Sequence, residues 1–216
     1  MARQTGTGRG RRLAALATKR ALDVLVSICA LVIAVPFFAV IAVAILAESP
    51  GTPIYVQRRV GRGGRTFPLV KFRTMVVEAD VVLAAVLGHD PESAAQWVRT
   101  RKLPDDPRVT RVGRFLRRYS LDELPQLLNI LRGDMSLVGP RPVLHEEIAL
   151  FGDGADEVLG VRPGLTGLWA VSGRSEIDYV TRAELERTYV REWSLGADAW
   201  IILRTIPAVL RKRGAY

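Results

Sequence analysis

Residues 119–143 read YSLDELPQLLNILRGDMSLVGPRPV. Two adjacent carboxylates, Asp122 and Glu123, stand at the start of a predicted helix. Ser120 and Glu123 have capping-box spacing, with Ser120 at N-cap and Glu123 at N3. Asp122 at N2 suits the positive end of the helix dipole. Pro125 fits a first turn, where a missing N–H costs little. Leu124, Leu127, Leu128 and Leu131 make an apolar face, and Gly133 supplies a C-terminal stop. An ordinary capped surface helix looks much the same. The segment after Gly133 is harder to explain as packing. In Gly139-Pro140-Arg141-Pro142, Pro140 fixes its own φ and Pro142 holds Arg141 extended. A long cation on so stiff a backbone is pre-oriented, and its planar fork suits phosphate oxygens.

Just upstream, Arg108, Arg111, Arg114, Arg117 and Arg118 crowd into eleven residues. The spacing 108, 111, 114, 118 puts several on one predicted helical face. That face is either a phosphate-binding wall or a basic surface resting on lipid headgroups. Aromatics are not interleaved as a stacking platform for nucleic acid needs. Downstream, VRPGLTGLWAVSGR (161–174) offers a turn, glycines that allow close backbone approach, and a second candidate cation, Arg174. A charged helix is predicted over 177–193. A last one over 198–213 is apolar on one face and ends in Arg211-Lys212-Arg213, as an interfacial membrane helix does.

Toward the N-terminus, residues 24–47 form a run of 24 without a charge. As a straight helix it is roughly 36 Å long, against a hydrocarbon core of about 30 Å. A buried soluble helix or a cleaved signal peptide, with a cleavage-like Ala42-Val43-Ala44, fits less well. Pro36 divides the run into arms of about a dozen residues, each roughly 18 Å long and one leaflet deep. Basic residues flank both ends: Arg9, Arg11, Arg12, Lys19 and Arg20 before, Arg58, Arg59, Arg62 and Arg65 after. Both ends are therefore expected on the cytoplasmic side, as a re-entrant helix-break-helix rather than a true span. The expected organisation is a basic disordered tail over 1–18, the membrane segment over 19–48 broken at Pro36, and a cytoplasmic domain over 49–216. Within it, 54–60 and 66–74 read as a hairpin around GRGGR, with Lys71 and Arg73 near its end. Helices are expected over 75–88 and between 91 and 103.

The whole chain has 216 residues, a net charge of +9 and 49% hydrophobic residues, enough for one domain with a real core and for anionic partners. One cysteine, Cys29, rules out an internal disulfide framework and a CxxC metal site. Two histidines, His89 and His145, make a histidine-rich metal site or a histidine triad an unsuitable reading.

Six segments in order carry a family resemblance: KRALD (19–23), VQRRVGRGG (56–64), FPLVKFRTM (67–75), the run from Asp105 to Val143, VRPGLTGLWAVSGR (161–174) and ELERTYVREWS (184–194). Together they resemble the bacterial sugar transferases, monotopic polyprenyl-phosphate phosphoglycosyl transferases. The resemblance implies an α+β, mostly helical fold: a re-entrant membrane helix, a cytoplasmic globular domain with a small β-hairpin, and amphipathic interfacial helices. It implies transfer of a sugar-1-phosphate from a UDP-sugar to undecaprenyl phosphate with release of UMP, at the cytoplasmic face of the bacterial inner membrane and in contact with anionic lipid. The step initiates exopolysaccharide, O-antigen, capsule or glycoconjugate synthesis.

The family's Asp-Glu dyad falls on Asp122, the implied nucleophile through an aspartyl-phosphosugar, and Glu123, with both implied as Mg²⁺ ligands. Its phosphate-binding cations fall on Lys71, Arg117, Arg141 and Arg174. Glu186 stands where the family commonly has aspartate, and Val35 precedes Pro36 where serine is frequent. The chain resembles a catalytic module alone and lies nearer the hexose-1-phosphate transferases, such as those for galactose or glucose. A homodimer is among the partners the sequence leaves open. The competing class is a membrane-anchored basic module, binding nucleic acid or acting as a scaffold without chemistry.

Overall fold

The structure, a computed structural model, describes residues 5–100, 103, 105–173 and 177–210. Its first element, α1 (Thr5–Glu48), is one helix. The tail expected through residue 18 is thus helical from Thr5. The sequence from Leu13 to Ala17 is rich in strong helix formers, and nothing stops the helix before Lys19. The break expected at Pro36 is likewise replaced by helix on both sides of the proline. The reason is packing. Asp23, Ser27, Ala34 and Ile45 are buried, and Ala30, Leu31, Phe38 and Ile41 pack into the core beside them. This spacing of three and four crosses position 36 unchanged, so contacts on either side hold the helix through the lost hydrogen bond. The other face is apolar and exposed, from Leu25 and Ile28 to Val40 and Val43. The stretch Gly10–Glu48 is long and apolar enough to cross a membrane.

Both ends of the apolar run are tied to the same globular body. Lys19 Nζ donates to Val138 O (3.0 Å) and pairs with Asp198 (2.6 Å). Arg20 donates to the carbonyls of Ile130 and Leu131. Asp23 accepts from Ser136 Oγ and the Leu137 N–H. At the far end, the Glu48 carboxylate accepts from the N–H groups of Arg111 and Val112, at 2.6 and 2.7 Å. Buried Arg73 grips the Ser49 and Pro50 carbonyls.

The expected hairpin is present. β1 (Ile54–Val60) and β2 (Thr66–Phe72) pair antiparallel, with Tyr55 opposite Lys71 and Arg59 opposite Phe67. Gly63 and Gly64 turn the loop with positive φ. Two helices, α2 (Ala79–His89) and α3 (Pro91–Thr100), come next and pack on each other. Then come α4 (Arg111–Arg118), a 3₁₀ turn at Leu121–Glu123, and α5 (Gln126–Arg132), which ends at Gly133 in the left-handed region as expected.

The capping box is not formed. Ser120 is itself left-handed (φ 55°), its side chain caps nothing, and α5 starts only after Pro125. Glu123 pairs instead with Lys71 of β2. The segment 136–138 (β3) pairs parallel with Gly164–Thr166 (β4), a small sheet that sequence patterning did not foresee. A 3₁₀ segment (His145–Gly154), α6 (Ala155–Leu159), α7 (Leu168–Val171), α8 (Tyr179–Arg191) and α9 (Leu195–Leu210) complete the order. In α9, Trp200, Leu203 and Ile206 are exposed as an interfacial helix requires, whereas Ile201 and Asp198 turn inward. Arg211 to Arg213 lie outside the described residues.

Phe67 and Leu69 of β2 pack on Leu127, Ile130 and Met135. Asn129, fully buried, completes that contact. Its side chain accepts from Val70 N–H (3.1 Å) and donates to Pro68 O (2.7 Å), satisfying the free edge of β2. Replacing Asn129 by Ala leaves two backbone groups unpaired in the interior. The expected loss is roughly 2–4 kcal/mol, read as a drop in the thermal unfolding midpoint of the detergent-solubilised protein.

Candidate active site

Lys71 and the acid pair meet because β2, α4 and the 3₁₀ turn converge. Gly113 lies so close to the end of β2 that a Cβ there would stand 2.0 Å from the Thr74 carbonyl oxygen. Only glycine lets α4 approach this near. Thr110 caps α4 by accepting from Gly113 N–H, and its own N–H donates to the Thr74 carbonyl. One helical turn after Gly113, Arg117 Nε donates to Thr74 Oγ1 at 2.8 Å. Its charge then favours ionisation of Asp122 and Asp106.

Several of the arginines do share one helical face, and it is the exposed one rather than a wall turned to the acids. Arg111, Arg114 and Arg118 are exposed, with Phe115 beside them. Arg108 precedes the helix and is buried against Asp106, over the Trp97 ring. Of these five, Arg117 is the one directed at the acids.

Glu123 takes Lys71 as its partner, Nζ to Oε1 at 2.7 Å, with both side chains about one-quarter to one-third exposed. Asp122 is buried, 9% exposed. Burial, and secondarily the Glu123 charge, push its carboxyl up to about 6; Lys71 and Arg117 oppose this. Two like charges in one three-residue turn hold a proton more readily than either alone. Acceptance of a divalent cation is a natural response to such a pair.

The backbone around Arg141 is held by hydrogen bonds, and the glycines explain how. The Gly139 N–H donates to Thr166 O, the Gly164 N–H to Pro140 O, and the Arg141 N–H to Glu186 Oε1 at 2.9 Å. A Cβ on Gly164 would lie 2.1 Å from Gly139 N, so β3 and β4 close only with glycine there. The Arg141 guanidinium lies 5.5 Å from the Trp169 ring centre.

Glu186 has no exposed surface at all, although it sits in a charged helix. Desolvation pushes its carboxyl up to about 8, more than the Arg141 N–H and the charges of Arg141 and Arg182 bring it down. It serves as a neutral acceptor that positions Arg141. Arg174 lies outside the described residues.

Sequence reasoning missed Arg59. It shares the hairpin face of Tyr55, Gln57 and Lys71, and period-2 alternation in VQRRV was the available signal. Its guanidinium reaches Gln57, Glu147 and the Pro142 carbonyl. Burial and then the Arg141 charge lower its basicity, while Glu147, Tyr55 and Glu123 favour its charged form. Arg59 therefore connects the acid pair to Arg141.

Acids, cations and proline-held arginine lie within the region matched by the profile of one family, described as bacterial sugar transferase, over residues 14–212. The chain belongs to the bacterial sugar transferases. It is 49% identical to the exopolysaccharide production protein ExoY of Sinorhizobium fredii over 199 residues, 92% of this chain and 88% of that one. It is 47% identical to the undecaprenyl-phosphate galactose phosphotransferase of Salmonella typhimurium, across 92% of this chain but 41% of that longer protein. The UDP-glucose:undecaprenyl-phosphate glucose-1-phosphate transferase of Caulobacter vibrioides is 40% identical, with 95% and 74% covered.

In this sugar transferase the fully buried Glu186 gives a direct test. Its folded-state carboxyl titrates above its unfolded one, so the stability it lends is present at low pH and is lost as pH rises toward about 8. Glu186→Gln keeps the acceptor without the titration. It should flatten the decline in unfolding midpoint between about pH 5 and 9. Glu186→Ala should lower the midpoint at every pH, because the Arg141 N–H loses its acceptor.

Proposed function

We propose that this chain transfers a sugar-1-phosphate from a UDP-sugar to undecaprenyl phosphate, releasing UMP, as the initiating step of exopolysaccharide or related glycan synthesis. The observation that carries the reading is the buried Asp122 beside Glu123, in reach of the charges of Lys71 and Arg117. The names of the relatives, which include galactose and glucose phosphotransferases, support a hexose.

The Asp122 carboxylate is the nucleophile. An Asp122 oxygen bonds to the sugar-side phosphorus as the bond from that phosphorus to the bridging oxygen breaks, and UMP leaves with the electron pair. The aspartyl-phosphosugar is then attacked by an oxygen of undecaprenyl phosphate, which restores the carboxylate. Lys71, Arg117 and Arg141 stabilise the crowded phosphate oxygens, and Arg174 is assigned the same role. Burial serves the step by keeping Asp122 poorly solvated until substrate arrives.

Mg²⁺ fits this donor set. Asp122 and Glu123 are two carboxylates of one tight turn, and a divalent cation that keeps several waters and takes the rest of its ligands from phosphates needs few protein oxygens. When bound, it neutralises charge on the diphosphate.

We further propose that the protein is monotopic, on the cytoplasmic face of the inner membrane. The reading is supported by α1, whose basic end and Glu48 end both bind the same globular body. It is also supported by the exposed apolar side chains of α1 and α9. A simple span, which puts its two ends on opposite sides of the membrane, does not meet this condition. The acceptor's phosphate then lies at headgroup depth, beside the acids.

The experiment is incubation of the purified chain with Mg²⁺, undecaprenyl phosphate and a panel of UDP-sugars, reading UMP. One or more hexose donors should give UMP, and Asp122→Asn should lower the rate by about 10³-fold or more. Undiminished activity in that variant would remove Asp122 from the mechanism. The ionised form attacks, so kcat/KM should fall about tenfold per unit as pH drops below about 6. An acid limb near the ordinary aspartate range, about 4, would contradict the burial argument.

A further inference from the structure

Arg59 and Arg141 use their hydrogen-bond donors in opposite ways. A guanidinium carries five N–H groups. Arg59 gives four of them to protein acceptors: Nε and Nη2 donate to Gln57 Oε1 at 3.2 and 2.8 Å, and Nη1 donates to Glu147 Oε2 at 3.3 Å and to Pro142 O at 3.4 Å. Its side chain is 11% exposed. Arg141, among the described residues, donates only through its backbone N–H, to Glu186, while its guanidinium lies over Trp169. Grasping a phosphate takes a free fork. Arg141 keeps its fork, whereas Arg59 is built into the backbone that follows Arg141.

That backbone runs along the edge of β1. The Val60 N–H donates to Val143 O at 2.9 Å, and the two residues form an antiparallel bridge. Pro142 has no N–H, so the pairing cannot continue as a regular ladder, and side chains take over. One residue before Val60, Arg59 reaches Pro142 O. From the other side, Glu147 Oε2 accepts from the Leu144 N–H at 2.7 Å and also from Arg59 Nη1, so one oxygen ties loop and strand together. The Glu147 N–H donates back to Leu144 O at 3.0 Å, which fixes the carboxylate at the start of segment 145–154. Residues 141–144 are thus held at four points: Glu186 on the Arg141 N–H, Arg59 on Pro142 O, Val60 on Val143 O and Glu147 on the Leu144 N–H. The Arg59–Glu147 pair is mostly buried, with side chains 11% and 17% exposed, and water and salt screen it less than a surface pair. β1 also pairs with β2, which carries Lys71. The spacing between Lys71 and Arg141 is therefore set through β1, and Arg59 with Glu147 is the side-chain part of that link.

We propose that Arg59 and Glu147 are positioning residues for the transfer: they set where Arg141 stands relative to Lys71, and they reach the substrate only through it. The assignment rests on the reading of Arg141 as a phosphate-binding cation. A displacement of about 1 Å at such a group can cost on the order of a hundredfold in rate. A point charge at position 59 does not replace the arginine, because one ammonium cannot span Gln57, Pro142 and Glu147 as the planar fork does.

The test uses the full chain in detergent and has two arms. Hydrogen exchange needs no turnover. Arg59→Gln, and Glu147→Ala, which leaves the Leu144 N–H without its acceptor, should each speed exchange in the peptide spanning 141–148 by about tenfold or more and leave the peptide over 119–124 within about twofold. In steady-state assays Arg59→Gln should lower kcat/KM by about tenfold or more, yet by less than about twofold once Arg141→Gln is already present. Arg59→Lys should stay within about threefold of Arg59→Gln. Glu147→Gln keeps an acceptor oxygen for Leu144 and disturbs the fold least; its loss of kcat/KM should also vanish when Arg141→Gln is present. Unchanged exchange in both variants would overturn the assignment. Losses that multiply with that of Arg141→Gln, or full rescue by Arg59→Lys, would overturn it too, by making Arg59 a charge that acts on the substrate itself. If the wild-type chain released no UMP from any UDP-sugar, the transfer reading would fall, and exchange would still decide whether the two residues hold Arg141.

Discussion

Two neighbouring carboxylates in one tight turn, one of them buried, are the constraint on which the rest of the site depends. Desolvation and mutual repulsion both penalise their ionisation, and the fold answers with cations from different elements. Lys71 arrives from β2 and binds Glu123. Arg117 arrives from α4, which can come close only because Gly113 lies against Thr74. Asn129 holds β2 to α5 and so holds Lys71 in register with the turn. Among the described residues Asp122 itself is in no ion pair. The one acid left without a direct cation is the one assigned to attack.

The long N-terminal helix is part of the same arrangement. Its C-terminal residue, Glu48, accepts from the first N–H groups of α4, the helix that carries Arg117. Near its basic end, Lys19, Arg20 and Asp23 bind β3 and the end of α5, on the far side of the acid turn. The apolar helix therefore braces both elements that flank the site. On the proposed reading, the segment that meets lipid also positions the cations beside the acid turn, through rigid contacts alone.

Much of this was legible in the residues. Alternation and a glycine-rich loop gave the hairpin, and Gly133 gave the end of α5. Failures came where a distant partner outweighed a local one. Ser120 to Glu123 matched a capping box, but Lys71 offers Glu123 a full opposite charge from fifty-two positions away in the chain. Helical spacing showed that Arg111, Arg114 and Arg118 share a face, but not whether that face turns to the acids or outward. Pro36 did not interrupt α1, since a stripe of tertiary contacts runs across it. Arg59 and the burial of Glu186 depended on how strands and helices are packed, and no local pattern encodes that. The two three-residue strands of the parallel sheet were too short for periodicity to reveal.

The central claim is a covalent one, and it is open to direct observation. The chain is incubated with its UDP-hexose without undecaprenyl phosphate, quenched, digested and read by mass spectrometry. The account predicts one equivalent of UMP and a hexose-phosphate adduct on the peptide carrying Asp122, absent from Asp122→Asn and discharged when undecaprenyl phosphate is added before the quench. Adduct on Glu123, or transfer to lipid with no adduct and no UMP until lipid is present, would contradict it.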